Sequence, residues 1–446
     1  MIAPLLAVSV NLLRELVRRG SSYVFLLLVV ATAAVVPHVA ASGSSLLMRL
    51  QLDVSYGIGL PVFMIGIATV VLSAAALSRE VETRRTQLLV TKPIASWQIF
   101  AGKLLGVLVV VGVLLVAVLG VFAVNVSLVA RGEGTDARDL ERVNRAFFTV
   151  RDSVSVLHPH DPAAEAEAGR VEPGRHDKGP HARRVNWLRA RPGESLTLTF
   201  SRIPTSSVDN ELLRVIYRIY SADPQGAPRL KVVWSVRPHG PGEKAVVPIE
   251  EEALHGTPQE LYLPATAVSP EGELRLQLHN SMPADSGLLL HLNPARVEVL
   301  SVCGHFWPNV LRAFLLIFGQ LLLLSSLCLL GSALFAFPTV TFLGLFLYLT
   351  ALTSGFLQET FDLYASVGHS HNALEMIAER MAIVGTHVLG VLPDFARLDP
   401  LGRLWSGRVL SVGELLHVLV WPVGVNSIAA LGVAACLFRR RELGKN

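Results

Sequence analysis

The sequence predicts an α-helical polytopic membrane protein with six transmembrane helices and an inserted extracytoplasmic all-β sandwich or jelly-roll domain. Three observations predict it. Six apolar runs have the length of a bilayer span, a polar insertion separates the third from the fourth, and the hydrophobic period inside that insertion changes from helical to two. Composition agrees. The 446 residues are 51 % hydrophobic and 17 % charged, with a mean hydropathy of +0.49, whereas soluble domains average about 25 % charged. Residues 131 to 305 hold 21 Lys and Arg against 23 Asp and Glu, so the basic excess lies in the apolar remainder and gives no reason to expect nucleic acid. Two of the three cysteines, Cys328 and Cys436, sit in long apolar runs, which argues against a disulfide framework.

A bilayer core of about 30 Å needs about 20 apolar helical residues. The runs that qualify are Tyr23 to Ala41, Gly57 to Leu77, Leu104 to Leu128, Val310 to Phe335, Thr339 to Leu357 and Val412 to Phe438. The first begins too late for a cleavable signal peptide and is followed by no small-residue cleavage site. Basic residues near span ends set orientation. Arg14, Arg18, Arg19, Arg79, Arg84, Arg85, Lys92, Lys103, Arg439, Arg440, Arg441 and Lys445 fall on one set of ends, against Glu15, Glu80, Glu82 and Glu442. The short loop between spans one and two carries only Arg49 and Asp53. Both termini are therefore expected in the cytoplasm and residues 129–307 outside. Two further segments read as amphipathic. In residues 1 to 20, Leu5, Leu6, Val10, Leu13 and Val17 face away from Asn11, Arg14, Glu15 and Arg18, the pattern of a helix in the headgroup plane. In His371 to Leu392, Leu374, Ile377, Met381, Val384 and Val388 recur at helical spacing, predicting an external interfacial helix. Were that stretch to cross, the Arg-rich tail would lie outside.

The insertion opens on an expected short helix, residues 135 to 150, with Leu140, Val143, Phe147 and Phe148 as its stripe, followed by a Pro-, Gly- and His-rich loop at 158 to 185. The sandwich is expected over 190–302. Leu196, Leu198 and Phe200 alternate with polar neighbours; so do Leu213 to Ile219, Val232 to Val236, Leu274 to Leu278 and the run from Leu290 to Val299. Turn signals such as Asp223-Pro224 and Ser269 to Gly272 separate them. His158-Pro159-His160-Asp161 could chelate a metal, but no second ligand cluster accompanies it, and a solvated loop is the better reading.

Catalytic signatures are missing from the sequence. No stretch reads G-x-x-x-x-G-K-[ST], so ATP hydrolysis by that route is excluded, and neither a nucleophile elbow nor H-E-x-x-H occurs. No cofactor or metal is expected. Gly102 to Gly106 fits G-x-x-x-G, weak evidence for a helix–helix dimer seam. Arg312 is expected to snorkel to the outer surface, and Asn426 to bond a neighbouring helix.

Residues 78 to 107 are the most informative segment. Ser78, Arg79, Glu80, Glu82, Leu88, Leu89, Lys92, Pro93, Trp97, Gly102 and Lys103 resemble the cytoplasmic loop of type-2 ATP-binding-cassette (ABC-2) exporter permeases, in particular the branch that includes the gliding-motility and nitrous-oxide-reductase maturation permeases. Leu392-Pro393-Asp394-Phe395, Arg397, Asp399 and the closing Phe438 to Leu443 are similar to that family too. The resemblance covers residues 1–128 and 308–446, two membrane halves, and leaves out the sandwich; where the family often has Gly-Thr, Arg85 precedes Thr86 here. It implies a permease subunit in the cytoplasmic (inner) membrane. Its partners would be a separate cytoplasmic ABC ATPase and a second permease subunit, identical or related. The implied ATPase-coupling loop is residues 78–103. Arg79, Glu80, Glu82, Arg84 and Arg85 offer charge pairing; Leu88, Leu89 and Trp97 offer an apolar knob, with Lys92 and Pro93 between. The same loop could instead lie on anionic lipid. A second function class is a membrane-anchored extracytoplasmic binding or tethering protein, carbohydrate-binding for instance, for which one span would suffice. A third, an intramembrane enzyme, lacks a catalytic constellation.

Overall fold

The computed structural model describes residues 2–18, 20–40, 46–82, 95–131, 143, 147–154, 188–203, 212–221, 229–236, 246–283, 286, 288–294, 297–367 and 399–443. The expected segments 158–185 and 371–392 lie outside them, as do most of 135–150 and the tail residue Lys445. The chain divides into two compact units, residues 1–148 with 305–446, and residues 149–304.

The first unit is helical. Its elements are α1 (Ile2–Arg18), α2 (Gly20–Ala40), α3 (Leu46–Leu52), α4 (Gly59–Glu82), α5 (Ser96–Arg131), α6 (Phe306–Leu334), α7 (Phe337–Val367), α8 (Pro400–Trp405), α9 (Val412–Val418) and α10 (Asn426–Leu443). Among the described residues six helices are long and apolar enough to cross a membrane: Ser22–Ala40, Met48–Ser78, Ser96–Val129, Phe306–Leu334, Phe337–Ser354 and Val412–Arg440. These are the six expected runs, and the chain is a multi-pass membrane protein. The bounds shift most in the second and third spans, the third beginning at Ser96 rather than Leu104, and two spans hold irregular turns. The second begins at Met48, because α3 runs into α4 through a π-helical turn, Asp53–Ile58. Asp53, expected in a loop, is therefore inside a span. The sixth contains a second π turn, Leu419–Val425, at Pro422, whose missing N–H breaks the regular ladder.

Small residues let these helices approach closely, since lipid supplies no hydrophobic drive for helix association. A Cβ on Gly66 would lie 2.1 Å from the Tyr348 ring. That ring stacks on Phe63, its centroid 6.0 Å away, and its hydroxyl donates to Val62 O and Phe63 O at 3.4 Å each. Between α4 and α6, the Ser73 and Ser325 hydroxyls bond at 2.7 Å, and Ser332 Oγ donates to Ala74 O at 3.3 Å. Each hydroxyl finds an acceptor where water is absent.

The second unit is a β-sandwich. Its strands are β1 (Thr149–Val154), β2 (Leu188–Ala190), β3 (Ser195–Phe200), β4 (Leu212–Ser221), β5 (Arg229–Val236), β6 (Val246–Leu254), β7 (Pro258–Pro264), β8 (Leu274–Asn280), β9 (Leu290–Leu292) and β10 (Glu298–His305). One sheet has the order β1-β10-β4-β9-β2, with β7 also on β4; the other is β3-β8-β5-β6. Alternation explains the packing. Leu196, Leu198 and Phe200 of one sheet share a core with Val215, Tyr217 and Ile219 of the other. Tyr217 meets Trp234 edge-on, with ring centroids 4.8 Å apart. The expected Ser269 to Gly272 turn forms. Gly272 adopts φ +78°, and a Cβ there would lie 2.8 Å from Ile203 O.

Alternation missed β1, β2, β6 and β7, and β1 begins at Thr149, within the stretch 135–150 expected to be helical. β6 carries Pro248 and the run Glu250 to Glu252, and it ends its sheet. Proline and charge are what an exposed edge needs to discourage pairing with another chain. Glu251 nevertheless accepts a hydrogen bond from the Tyr217 hydroxyl of the opposite sheet. Burial, with that carboxylate as acceptor, holds the Tyr217 phenol above its usual range.

Candidate functional site

The structure secures both ends of the expected coupling loop. Arg79, Glu80 and Glu82 fall in the last turns of α4; Arg84, Arg85, Leu88, Leu89, Lys92 and Pro93 lie outside the described residues. On the far side Trp97 opens α5 and is 47 % exposed. The start of α5 is capped from within. The Ala95 N–H donates to Gln98 Oε1 at 3.1 Å, and the Gln98 N–H donates to Ala95 O at 2.9 Å, a reciprocal arrangement that occupies two free donors.

Just inside these ends lies an apolar plate. Leu77, Phe100, Leu104, Leu329, Ala333 and Phe438 are all buried in it, so α4, α5, α6 and α10 meet there. Phe100 and Phe438 pack edge to face at 5.7 Å, the geometry aromatic quadrupoles favour. Lys103 is 2 % exposed, and its ammonium donates to Ala76 O of α4. A buried ammonium must be hydrogen-bonded, and this one joins the helix entering the loop to the helix leaving it.

Gly102 and Gly106 seat α1. A Cβ on Gly102 would lie 2.8 Å from Leu5 O and 2.9 Å from Val8 Cβ; one on Gly106 would lie 3.1 Å from Leu12 Cδ2 and 3.3 Å from Ser9 O. The G-x-x-x-G pattern is therefore filled by this chain's own N-terminal helix. The face α1 turns to α5 is Leu5-Val8-Ser9-Leu12. Leu6, Val10 and Val17, expected on one stripe with Leu5 and Leu13, are 48 %, 40 % and 57 % exposed.

At the other end of the bundle is a polar node that the sequence reading passed over. Pro37 lies inside α2 and has no N–H to offer Ala33 O four residues earlier. Asn125 of α5 supplies the missing donor: its Nδ2 donates to Ala33 O at 3.2 Å and to Asp53 Oδ1 at 3.1 Å. Asp53 is 3 % exposed, and its Oδ2 has no partner among the described residues. Beside the node an open groove of about 900 Å³ runs between α2 and α5, with His38 and Asn125 as the polar groups in an otherwise apolar wall. Two signals could have found this node: an Asn in the apolar run Phe122 to Val129, and an Asp four residues before a span whose start was drawn too late.

Arg312 departs from expectation. Its Nη1 donates to Leu410 O at 3.1 Å. Next to it, Asn309 Nδ2 donates to Arg408 O at 2.9 Å while its Oδ1 accepts from the Leu410 N–H at 2.8 Å. Both side chains of α6 thus bind the chain between α8 and α9. Arg403 and Glu414 close the same region with paired bonds of 2.6 and 2.7 Å. Asn426, expected to bond a neighbouring helix, is exposed and has no side-chain partner among the described residues.

Fold and site define a class: a polytopic helical membrane protein whose second and third spans are tied together on either side of residues 83–94. Residues 13–150 match the family model described as ABC-2 family transporter protein, a stretch that runs from within α1 through the loop and α5. No curated protein and no solved structure matches the chain.

Proposed function

We propose that the chain is the transmembrane permease subunit of an ABC exporter, in which a separate cytoplasmic ATPase docks on residues 78–103 and a second permease subunit completes the path. One observation carries the reading: the family match spans the loop and both helices that hold it. Nucleotide-driven motion must reach the spans through something stiff. The Lys103–Ala76 bond and the Phe100–Phe438 plate provide that stiffness. In this reading the membrane is the inner one, both termini are cytoplasmic and the sandwich lies outside.

Replacing Glu80 and Glu82 by Lys reverses local charge, and juxtaposed like charges at an interface cost several kcal/mol. The double variant is expected to lose the ATPase on co-purification from mildly solubilised membranes while keeping wild-type membrane levels. Full retention of the ATPase would remove these carboxylates from the docking surface.

Orientation is tested separately. With Cys303 replaced, single cysteines at Ser235 and Lys445 are challenged with a membrane-impermeant thiol reagent in sealed cells. Position 235 is expected to label and position 445 to stay protected. A lysine or arginine at a span centre costs about 2.5–3.5 kcal/mol, so the Arg439 to Arg441 cluster resists crossing. Labelling at 445 would require an odd number of spans.

A further inference from the structure

We propose that Asp53 is a proton-binding site of the membrane part, its carboxyl protonated on Oδ2 in the packed arrangement and releasing that proton when the packing opens. The argument starts from what the node needs. Pro37 orphans one carbonyl, Ala33 O, and Asn125 satisfies it. The second Asn125 proton needs one acceptor, which Asp53 Oδ1 provides. A neutral amide or hydroxyl at position 53 would do as much. The carboxyl brings a second oxygen that is buried and unpartnered among the described residues, and Gly57 closes over the group so tightly that a Cβ there would lie 2.6 Å from Asp53 Oδ1.

A bare carboxylate in such a place is costly, and ionisable groups inside spans usually serve a function. Among the described residues no cation is hydrogen-bonded or ion-paired to it, and the charge nearest in effect is that of His38. The elements packed on the Asp53–Ile58 turn are α2, α3, α4, α5 and α8. From α2 the titratable group is His38, whose Nδ1 is engaged with Ala34 O at 2.9 Å. From α3 it is Arg49, which is exposed. The first turns of α4 carry no charge, and α5 presents Asn125. From α8 it is Arg403, committed to Glu414. Binding one proton converts the buried anion to a neutral acid without moving a helix. Asn125, which bonds the acid, also borders the α2–α5 groove, so an opening of that groove to water exposes the acid and lets the proton leave. The π turn that carries Asp53 is a local irregularity of the kind found at functional sites.

The test needs only this chain, purified in lipid nanodiscs without any ATPase. Infrared difference spectra across pH are recorded for wild type, Asp53→Asn and His38→Gln. The wild type is expected to show, at neutral pH, the C=O stretch of a protonated buried carboxyl. That band should vanish in Asp53→Asn and persist in His38→Gln. Raising the pH should bleach it and lower the unfolding temperature of the wild type, while Asp53→Asn stays flat over the same range. The sign follows because a group neutral in the packed state loses stability when it is forced to ionise. If no acid band at neutral pH depends on Asp53, or if the pH dependence survives Asp53→Asn and disappears in His38→Gln, the proposal is overturned. Should Asp53→Asn fail to fold, an aspartate carboxyl-labelled at position 53 alone gives the same decision: a label-shifted acid band at neutral pH supports the site, and its absence rejects it.

Discussion

Replacing Trp234 by alanine will destabilise the β-sandwich more than any surface change in it. Trp234 is 1 % exposed, among the largest fully buried side chains, and lies against the Tyr217 ring. Large-to-small changes of this kind cost about 3–5 kcal/mol, against a total of roughly 5–15 kcal/mol for a domain. The unit 149–304 has its own two-sheet core, so the excised segment is expected to be soluble, with a β-type circular dichroism spectrum and one cooperative melt. In that segment Trp234→Ala should lower the melting temperature by roughly 6–20 °C, taking about 2–4 °C per kcal/mol at this size. Tyr217→Phe should cost much less, since it keeps the ring and loses only the bond to Glu251. A helical or disordered spectrum of the wild-type segment would show that the sandwich depends on the membrane part. A melt unchanged by Trp234→Ala would show that the shared core does not hold the sheets together.

The legible parts of this molecule were those written in a period. A span needs about 20 apolar residues in a row, and each of the six runs supplies them, so their number could be read directly. The strands with clean alternation, such as Leu274-Leu276-Leu278, could be read for the same reason. β6 could not, because its proline and glutamates serve the sheet edge and break the pattern that buried strands show. Asp53 was misplaced for a related reason: hydropathy drops at a charge, so a span starting at Met48 looks as if it starts at Gly57. The coupling role expected of residues Arg79 to Trp97 came only from a family resemblance, since no period would mark a docking surface. The tasks of Lys103 and Gly102 were hidden more deeply. Lys103 was counted as an end-of-span charge, yet it is buried and bonded to Ala76 O, a partner 27 residues away. Gly102 and Gly106 carry a pattern that any close helix pair satisfies, and sequence cannot say whether the second helix comes from another chain or from eighty or more residues upstream in the same one.

That ambiguity makes Gly102 the position with the second large expected effect. The atoms a Cβ would strike are Leu5 O, at 2.8 Å, and Val8 Cβ, at 2.9 Å. One is backbone and the other is fixed to it, so neither can swing aside as a flexible side-chain end would. Gly102→Leu adds three further carbons, and α1 must shift as a body or leave α5. Overpacking commonly costs about 1–3 kcal/mol, and a single helix of 17 residues has little stability of its own once its packing is lost. Hydrogen exchange of the chain in nanodiscs should therefore show α1 losing most of its protection, while α4, α6 and α10 keep theirs, because the Leu77–Phe100–Phe438 plate does not touch the seat. Gly106→Ala should do less: its nearest contact, Leu12 Cδ2 at 3.1 Å, is the end of a side chain that can turn, and the backbone Ser9 O stands further off at 3.3 Å. Shaving Val8 to alanine in the Gly102→Leu background should restore only part of the protection, since Leu5 O remains in the way. Undisturbed α1 protection in Gly102→Leu would mean that α1 is not seated on Gly102.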